Sequence, residues 1–236
     1  MKSPLKLLCK NIPSMMFTLS LILFIITFSI SLPIYSRSFY YMHITHMNLA
    51  EKSGFTEAQI RGAYDSVLDY LTVPAKDFST GDLKYSSEGK DHFSDCKKLF
   101  TLNTLVFFSS VIVLLTLFTL KKKKVRYFTF SITKSFLIAG IFLILTPLII
   151  GVLASLDFNY AFVVFHKIFF PQKSNWIFNP RYDEIIRILP QEYFMNCAVL
   201  IGTSILFISV LLILIAFFRN RKRLPFYNKK SPKQSL

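Results

Sequence analysis

Residues 100–126 read FTLNTLVFFSSVIVLLTLFTLKKKKVR, and this stretch decides the fold. From Phe100 to Leu120 the chain carries no charged residue and no histidine. A helix of about 20 apolar residues crosses the roughly 30 Å hydrocarbon core of a bilayer. A cluster of Lys and Arg follows immediately, and such clusters are retained on the cytoplasmic side of a membrane. The stretch therefore predicts a membrane-spanning helix with a cytoplasmic carboxyl end.

Three further uncharged runs of similar length occur, so the sequence predicts an all-α integral membrane protein with four spanning helices. The predicted spans are residues 16–36, 100–120, 136–156 and 194–218. The mean hydropathy of +0.46 is well above that of an ordinary soluble domain. Only residues 37–99 and 157–193 form long connections, which excludes a large soluble core.

The first run invites a second interpretation as a secretory signal peptide, because three lysines precede it and a polar segment follows. Its apolar stretch is too long for the hydrophobic region of a signal, and no small-residue cleavage site precedes Arg37. We interpret it as a retained helix, with residues 1–15 as a cytoplasmic tail.

The formal net charge of +15 is divided unevenly along the chain. Residues 1–15, 121–135 and 219–236 hold 16 of the 28 Lys and Arg residues and no acid, whereas residues 37–99 and 157–193 hold all 13 acids. Because basic segments stay inside, we predict that both termini and the loop 121–135 are cytoplasmic. The two long connections then form a small helical cap on the extracytoplasmic face of the cell membrane.

A net charge of this size also raises the possibility of nucleic-acid binding. That function would need basic residues interleaved with stacking aromatics on a water-exposed surface, and the predicted inner segments are too short to supply one. We expect no nucleic-acid partner. The basic residues are expected to fix the orientation and to contact anionic lipid.

The connection 37–99 contains SGFTEAQIRGAYDSVLDYLTVP, which predicts an amphipathic helix. Thr56 is suited to cap this helix, with Gln59 at the third helical position, and Pro74 ends it. Its two predicted faces are an apolar one with Ile60, Tyr64, Val67, Leu68 and Leu71, and a polar one with Arg61, Asp65 and Asp69. We expect it to pack across the outer membrane surface or over the helix bundle.

The segment DHFSDCKKLF, residues 91–100, contains no helix breaker and is predicted to continue directly into the second spanning helix. His92 precedes Phe100 by two helical turns, which would place it about 12 Å above the apolar run, near the lipid headgroups. Asp95 and Cys96 would flank its face of the helix.

The connection 157–193 opens with DFNYAFVVFHKIFFPQKSNWIFNP, which is unusually aromatic for a water-exposed loop. Aromatic rings favour the membrane interface, so we expect this segment to lie there, with His166 facing lipid esters. A neutral imidazole near pH 7 is an obvious general base for chemistry at a lipid headgroup.

Other catalytic and metal signatures are absent from the sequence, including a Gly-rich phosphate loop, G-x-S-x-G, H-E-x-x-H and C-x-x-C. His43 and His46 are spaced to share a helix face, but a zinc site needs further ligands, so we expect interfacial polar residues and no metal. A disulfide between Cys96 and Cys197 is possible from the topology, but we expect both thiols to be free.

Taken together, several segments resemble the bacterial lipoprotein intramolecular transacylase family. They are RSFYY (37–41), DSVLDYL (65–71), HFSDCKKLF (92–100), Asp157 with Phe158, FHKIFFPQKSNW (165–176) and LPQEYF (189–194). The resemblance covers most of the chain and is specific as a constellation, although no single piece would suffice.

That resemblance implies a function on diacylated lipoproteins in the outer leaflet. Members move one acyl chain from the glyceryl ester, implied to be sn-2, to the α-amine of the amino-terminal cysteine and so make the lyso-form lipoprotein. It implies no cofactor, and it makes His92 and His166 the catalytic pair. We assign His166 as the base, His92 as its partner or acid, and Asp95 as an orienter, with the reverse order of the two histidines left open. Candidates for holding the substrate are Tyr40, Tyr41, Lys167, Asn175, Trp176 and Arg187.

Two alternatives remain open from the sequence. An acyl-enzyme route would need a nucleophile, and Cys96 is the outer thiol beside a histidine; we expect direct transfer with Cys96 taking no covalent part. A non-enzymatic accessory or sensor protein, which binds a partner or lipid through its aromatic outer surface, is the second class of function. The preferred lipoproteins and the oligomeric state are not encoded in any recognisable motif.

Overall fold

The computed structural model describes residues 4–126, 128 and 130–221, with side chains from Ile12 onward. This part of the chain contains eight α-helices, one 3₁₀ helix and no strand. The α-helices are α1 (Pro4–Tyr35), α2 (Arg37–His46), α3 (Leu49–Ser53), α4 (Glu57–Thr72), α5 (Ser87–Lys122), α6 (Ile132–Leu156), α7 (Phe158–Phe169) and α8 (Gln191–Arg221). The 3₁₀ helix is Glu184–Arg187.

Four of these helices are long and apolar enough to cross a membrane, which confirms the predicted all-α class with four spans. They are α1 from Ile12, α5, α6 and α8. Each helix begins before the uncharged segment that predicted it. The apolar composition indicates which residues can lie in lipid, but it does not determine where helical hydrogen bonding begins or ends. Of the predicted tails, residues 1–3 and 222–236 lie outside the described residues.

The chain divides into two compact units. The first contains the chain up to Ile26, Phe107–Ile149 and the chain from Thr203. It is made of apolar helix surfaces: the Phe17 and Phe130 rings lie 4.7 Å apart, and a Cβ added to Gly140 would lie 2.7 Å from the Ile213 side chain. Close helix approach at a small residue is a common way to pack helices in lipid.

The second unit contains Thr27–Val106 and Ile150–Gly202, and we call it the cap unit. Its core includes the apolar face of α4. The predicted capping box is present, since Thr56 Oγ1 accepts from the Gln59 backbone while the Gln59 side chain accepts from the Thr56 backbone. The helix ends at Thr72, just before Pro74, as predicted. All five predicted apolar positions are buried, which confirms the packing face: Ile60, Tyr64, Val67, Leu68 and Leu71.

The start of α5 is held to the connection before α8. The Asp183 carboxylate accepts from the Ser86 backbone and hydroxyl, each at 2.8 Å, and the Glu184 backbone donates to the Lys84 carbonyl at 3.1 Å. A Cβ on Gly89 would lie 2.2 Å from Asp183 Oδ1, so this junction needs glycine. The segment 91–100 continues into the spanning helix as predicted.

The aromatic connection after α6 begins with a helix of its own, α7. The Asp157 carboxylate caps it by accepting from the Tyr160 backbone at 2.9 Å. A helical cap was predicted from this connection, but the position of this helix was not, although its apolar side chains recur at a helical period. This helix matters for function because it carries His166.

Candidate active site

The rings of His92 and His166 meet inside the cap unit. Their centroids lie 5.9 Å apart with an interplanar angle of 33°. Each residue is only 7% exposed. His92 comes from the first two turns of α5 and His166 from the last turn of α7. The two histidines predicted as a pair are therefore brought together by separate helices.

The hydrogen bond at His166 fixes its tautomer. Nδ1 lies 2.7 Å from the Phe162 carbonyl oxygen, four residues earlier on α7. A carbonyl only accepts hydrogen bonds, so Nδ1 carries the hydrogen and donates it. In the neutral ring Nε2 then holds a lone pair, which is the atom a general base uses.

His92 has a different arrangement. Its Nε2 lies 3.4 Å from the Cys96 sulfur, one turn further along α5, and its Nδ1 is buried with no hydrogen-bond partner among the described residues. A buried polar atom without a partner costs about 1–3 kcal/mol unless a water or ligand satisfies it. The open nitrogen of His92 is thus suited to receive a polar group of a bound molecule.

Aromatic rings enclose the histidine pair. The Trp176 indole stacks on His166 at 4.6 Å and 27°, Phe162 lies 4.3 Å from the same ring, and Phe170 contacts His92 edge-on at 4.9 Å. The Trp176 Nε1 donates to the Lys173 carbonyl at 3.0 Å, which holds the indole in place. Bulk water is largely excluded from both imidazoles.

Burial sets the protonation state of His166. It disfavours the charged ring and lowers the pKa of His166 below 6.5, while the hydrogen bond to the Phe162 carbonyl acts in the opposite direction to a smaller extent. Two imidazolium rings at this separation would also repel each other. At neutral pH His166 is therefore uncharged and can accept a proton.

Asp95 lies beside the pair and is 8% exposed. It pairs with the Lys98 ammonium at 3.0 Å and with Lys173, and it accepts from Asn175 Nδ2 at 3.4 Å. Among the described hydrogen bonds, none joins Asp95 to His92. Its contacts instead hold the turn after α7 that carries Asn175 and Trp176.

The remaining candidate residues divide between this site and other places. Trp176 lies at the histidine pair, and Asn175, the residue before it, donates to Asp95. The Tyr40 hydroxyl donates to the Ile188 carbonyl at 2.8 Å in the buried core, and the Tyr41 hydroxyl donates to Asp65. Arg187 binds the Ser53 carbonyl and lies over an aromatic ring. These three contacts connect elements of the cap unit to one another.

Lys167 is exposed next to His166, and the structure shows no side-chain contact for it among the described residues. Lys173, in contrast, was missed by the sequence analysis although it is the cation that reaches Asp95. Its only sequence signal was its place in the turn PQKSN, where Gln172 has a left-handed backbone with φ of 62°. Because of this left-handed residue, the directions of the neighbouring side chains differ from those that helical spacing would predict.

Neither metal binding nor a disulfide contributes to the described site. No group of three or more His, Cys, Asp and Glu within the described part of the chain is arranged to hold a metal ion. His43 lies with its ring 6.5 Å from that of His46, and its Nδ1 donates to the Phe39 carbonyl. Cys96 and Cys197 are free thiols.

The fold and the site together define an integral membrane protein with a buried histidine pair suited to acid–base chemistry. Residues 15–194 match the family of the lipoprotein intramolecular transacylase Lit, and the chain belongs to this family. The resemblance predicted from the sequence is thereby confirmed.

A comparison with solved structures finds members of the same family. The chain is similar to the membrane integral lipoprotein intramolecular transacylase Lit from Bacillus cereus, with 25% identity, a TM-score of 0.81, and coverage of 91% of this chain and 97% of that one. Two variants of the same Bacillus cereus protein, with a histidine replaced by arginine or by alanine, match with TM-scores of 0.73 and 0.74. A comparison with curated proteins finds no match.

Proposed function

We propose that this protein transfers an acyl chain within diacylated lipoproteins. The sn-2 chain of the glyceryl ester moves to the α-amine of the amino-terminal cysteine, and the product is the lyso-form lipoprotein. Membership of the transacylase family supports the reaction class. The single structural observation that supports it most is the unprotonated Nε2 of His166, held beside His92 in a site walled by aromatic rings.

The reaction balances without a cofactor. The amine nitrogen bonds to the ester carbonyl carbon, the bond from that carbon to the glyceryl oxygen breaks, and one proton passes from the amine to the departing oxygen. Converting an ester to an amide is downhill, so orientation and proton transfer are sufficient. Holding both groups of one molecule in contact can replace up to about 7–11 kcal/mol of barrier.

The two histidines have distinct roles in this scheme. His166 Nε2 removes the proton from the attacking amine, and the same proton then passes to the departing glyceryl oxygen, which contacts His92 Nδ1, the nitrogen with no partner among the described residues. Positioned proton transfer of this kind contributes about 10²–10⁴-fold. Trp176 and Phe170 keep water from taking the place of the amine, which would give hydrolysis.

We further propose that the cap unit faces away from the cytoplasm, in the cytoplasmic membrane of a bacterium. The positive-inside rule supports this orientation, because the acids all lie in the connections 37–99 and 157–193. A diacylated lipoprotein in the outer leaflet would then present its ester and amine at the level of the histidines. Membrane lipid surrounds the spanning helices.

Mass spectrometry of lipoproteins tests the function directly. The gene is expressed in a bacterial host that makes only diacylated lipoproteins, and we expect an acyl chain to appear on the cysteine amine. His166→Ala and His92→Ala should each reduce that product by at least about 100-fold. His43→Ala and His46→Ala are matched controls, since both histidines lie outside the pair. No acyl shift with folded protein present would instead favour an accessory protein that binds lipid or a partner.

A further inference from the structure

A polar groove of about 580 Å³ lies near the histidine pair. Neither histidine lines it, but Phe178 does, and the Phe178 ring lies 5.4 Å from that of His92. It is lined on one side by α5 and on the other by the turn after α7, and it shares Asp95 and Asn175 with the candidate site. The Asn175 Oδ1 atom in its wall is buried without a hydrogen-bond partner among the described residues. The proposed function does not use this groove, although a lipoprotein substrate carries a polypeptide that has to leave the site somewhere.

The α5 side of the groove is a single helix face. Glu88, Asp91, Asp95 and Lys98 recur at intervals of three and four residues, which places them in one row. With a rise of about 1.5 Å per residue, Asp91 is almost level with His92, and Glu88 lies about 6 Å further from the apolar run. A polypeptide avoids lipid, so it would leave the histidines in the direction of Glu88.

The charge of the groove is unevenly neutralised. The groove has two ammonium groups, on Lys98 and Lys173, and both form ion pairs with Asp95. Asp183 accepts hydrogen bonds from Ser86. Glu88 and Asp91 are exposed and have no ion-pair partner among the described residues, so they give this part of the groove an unbalanced negative charge.

A second hollow limits how far the negative charge extends. It holds about 500 Å³, shares Glu88 with the groove, and is lined beyond that residue by Lys84 and Arg181. An extended chain advances about 3.3–3.6 Å per residue. The acidic stretch therefore spans about the first two residues after the substrate cysteine, and cations lie beyond it.

We propose that this groove binds the polypeptide segment that follows the acylated cysteine, and that Glu88 and Asp91 select basic over acidic side chains at its first and second positions. The inference rests on the proposed function and adds a specificity to it. Charge complementarity and the Phe178 ring, which lines the groove and lies 5.4 Å from the His92 ring, favour this occupant.

The test uses purified full-length protein in uncharged detergent micelles and synthetic diacylglyceryl-cysteine peptides. Peptides with Lys-Lys-Ser-Ser-Ser and Glu-Glu-Ser-Ser-Ser after the cysteine are compared by kcat/KM for appearance of the N-acyl product. We expect the Lys peptide to react about 5–10-fold faster, in line with one or two surface charge pairs. The preference should shrink in 0.5 M salt, where the screening length is only about 4 Å.

The double variant Glu88→Gln/Asp91→Asn should abolish the preference. The matched control Asp77→Asn/Asp82→Asn removes two exposed acids outside the groove and should retain it. Peptides with the charged pair moved to the fourth and fifth positions should show no preference for Lys over Glu.

Equal rates for the two first peptides would overturn the proposal, and so would an equal loss of preference in both double variants. Conversion of neither peptide by folded protein would instead refute the transacylase function itself, so the two failures are distinguishable.

Discussion

The Trp176 indole lies stacked on the His166 imidazole, with ring centroids 4.6 Å apart. Trp176 follows His166 by ten residues, and the turn between them brings the indole back over the end of α7. The indole covers one face of the proposed base and is fixed by its bond to the Lys173 carbonyl.

Replacing Trp176 should therefore slow catalysis more than it destabilises the fold. Stacked aromatic pairs contribute about 0.5–1.5 kcal/mol, so Trp176→Ala is expected to reduce kcat by about 3–10-fold, while Trp176→Phe keeps a ring over His166 and should lose less. Single-turnover rates with a diacylglyceryl lipopeptide measure this. Identical rates for the two variants would show that stacking has no part in positioning His166.

The pH dependence follows from the buried state of His166. Burial lowers its pKa, so the neutral, proton-accepting form persists below pH 6.5 and is lost only as the pH falls through that lowered pKa. We expect the acid limb of kcat/KM to be centred below pH 6.5. An acid limb centred above pH 6.5 would contradict the buried base.

The Asp95 network predicts an order of effects among three variants. Asp95→Asn and Lys173→Met each break the ion pair that holds the turn carrying Trp176, and a charge-assisted bond of this kind corresponds to about tenfold or more in rate. Lys98→Met removes a largely exposed partner, with 73% of its side chain accessible, and should have little effect. Relative kcat values test this order, and a larger loss in Lys98→Met would reverse the interpretation.

Gly89→Ala should destabilise the cap unit. The added Cβ would lie 2.2 Å from Asp183 Oδ1 and would displace the carboxylate from Ser86, at a cost of about 2–4 kcal/mol. Gly62→Ala is the matched control, because a Cβ there meets nothing within 4 Å, and alanine in a helix should stabilise by about 0.5–1 kcal/mol. Thermal unfolding in detergent should shift in opposite directions for the two variants.

Cys96→Ala separates direct transfer from an acyl-enzyme route. It removes only a weak sulfur contact to His92 Nε2, so the rate should fall by less than about tenfold. Cys96→Ser, which keeps a hydrogen-bonding group, should fall less. Loss of all product in Cys96→Ala, with the protein still folded, would restore the thiol as a candidate nucleophile.

Much of the architecture was predictable because a bilayer imposes a simple rule on composition. The uncharged run at Phe100–Leu120 predicted a spanning helix, and the capping residues Thr56 and Gln59 predicted the start of α4. Both signals are local: the first depends on transfer to lipid and the second on hydrogen bonds within one helical turn.

The details of the candidate site were less accessible to sequence analysis, because they depend on contacts between distant parts of the chain. Family resemblance suggested His92 and His166, but their spacing of 5.9 Å required the docking of α7 beside α5. The Lys173 pairing with Asp95 follows from an irregular turn at Gln172. Tyr40 and Arg187 were predicted as substrate contacts. In the structure the Tyr40 side chain is bonded in the buried core and the Arg187 side chain joins two helices. Sequence spacing alone does not distinguish such structural contacts from substrate contacts.

The placement of His92 before the second spanning helix and His166 after the third has a consequence for biosynthesis. During translation, α5 is made and inserted well before α7 leaves the ribosome. An imidazole at position 92 alone lacks the partner ring and the Trp176 cover. On the proposed assignment of these histidines, the growing chain has no complete site until α7 has been made, and two separately expressed pieces divided between α5 and α6 should be active only when they reassociate.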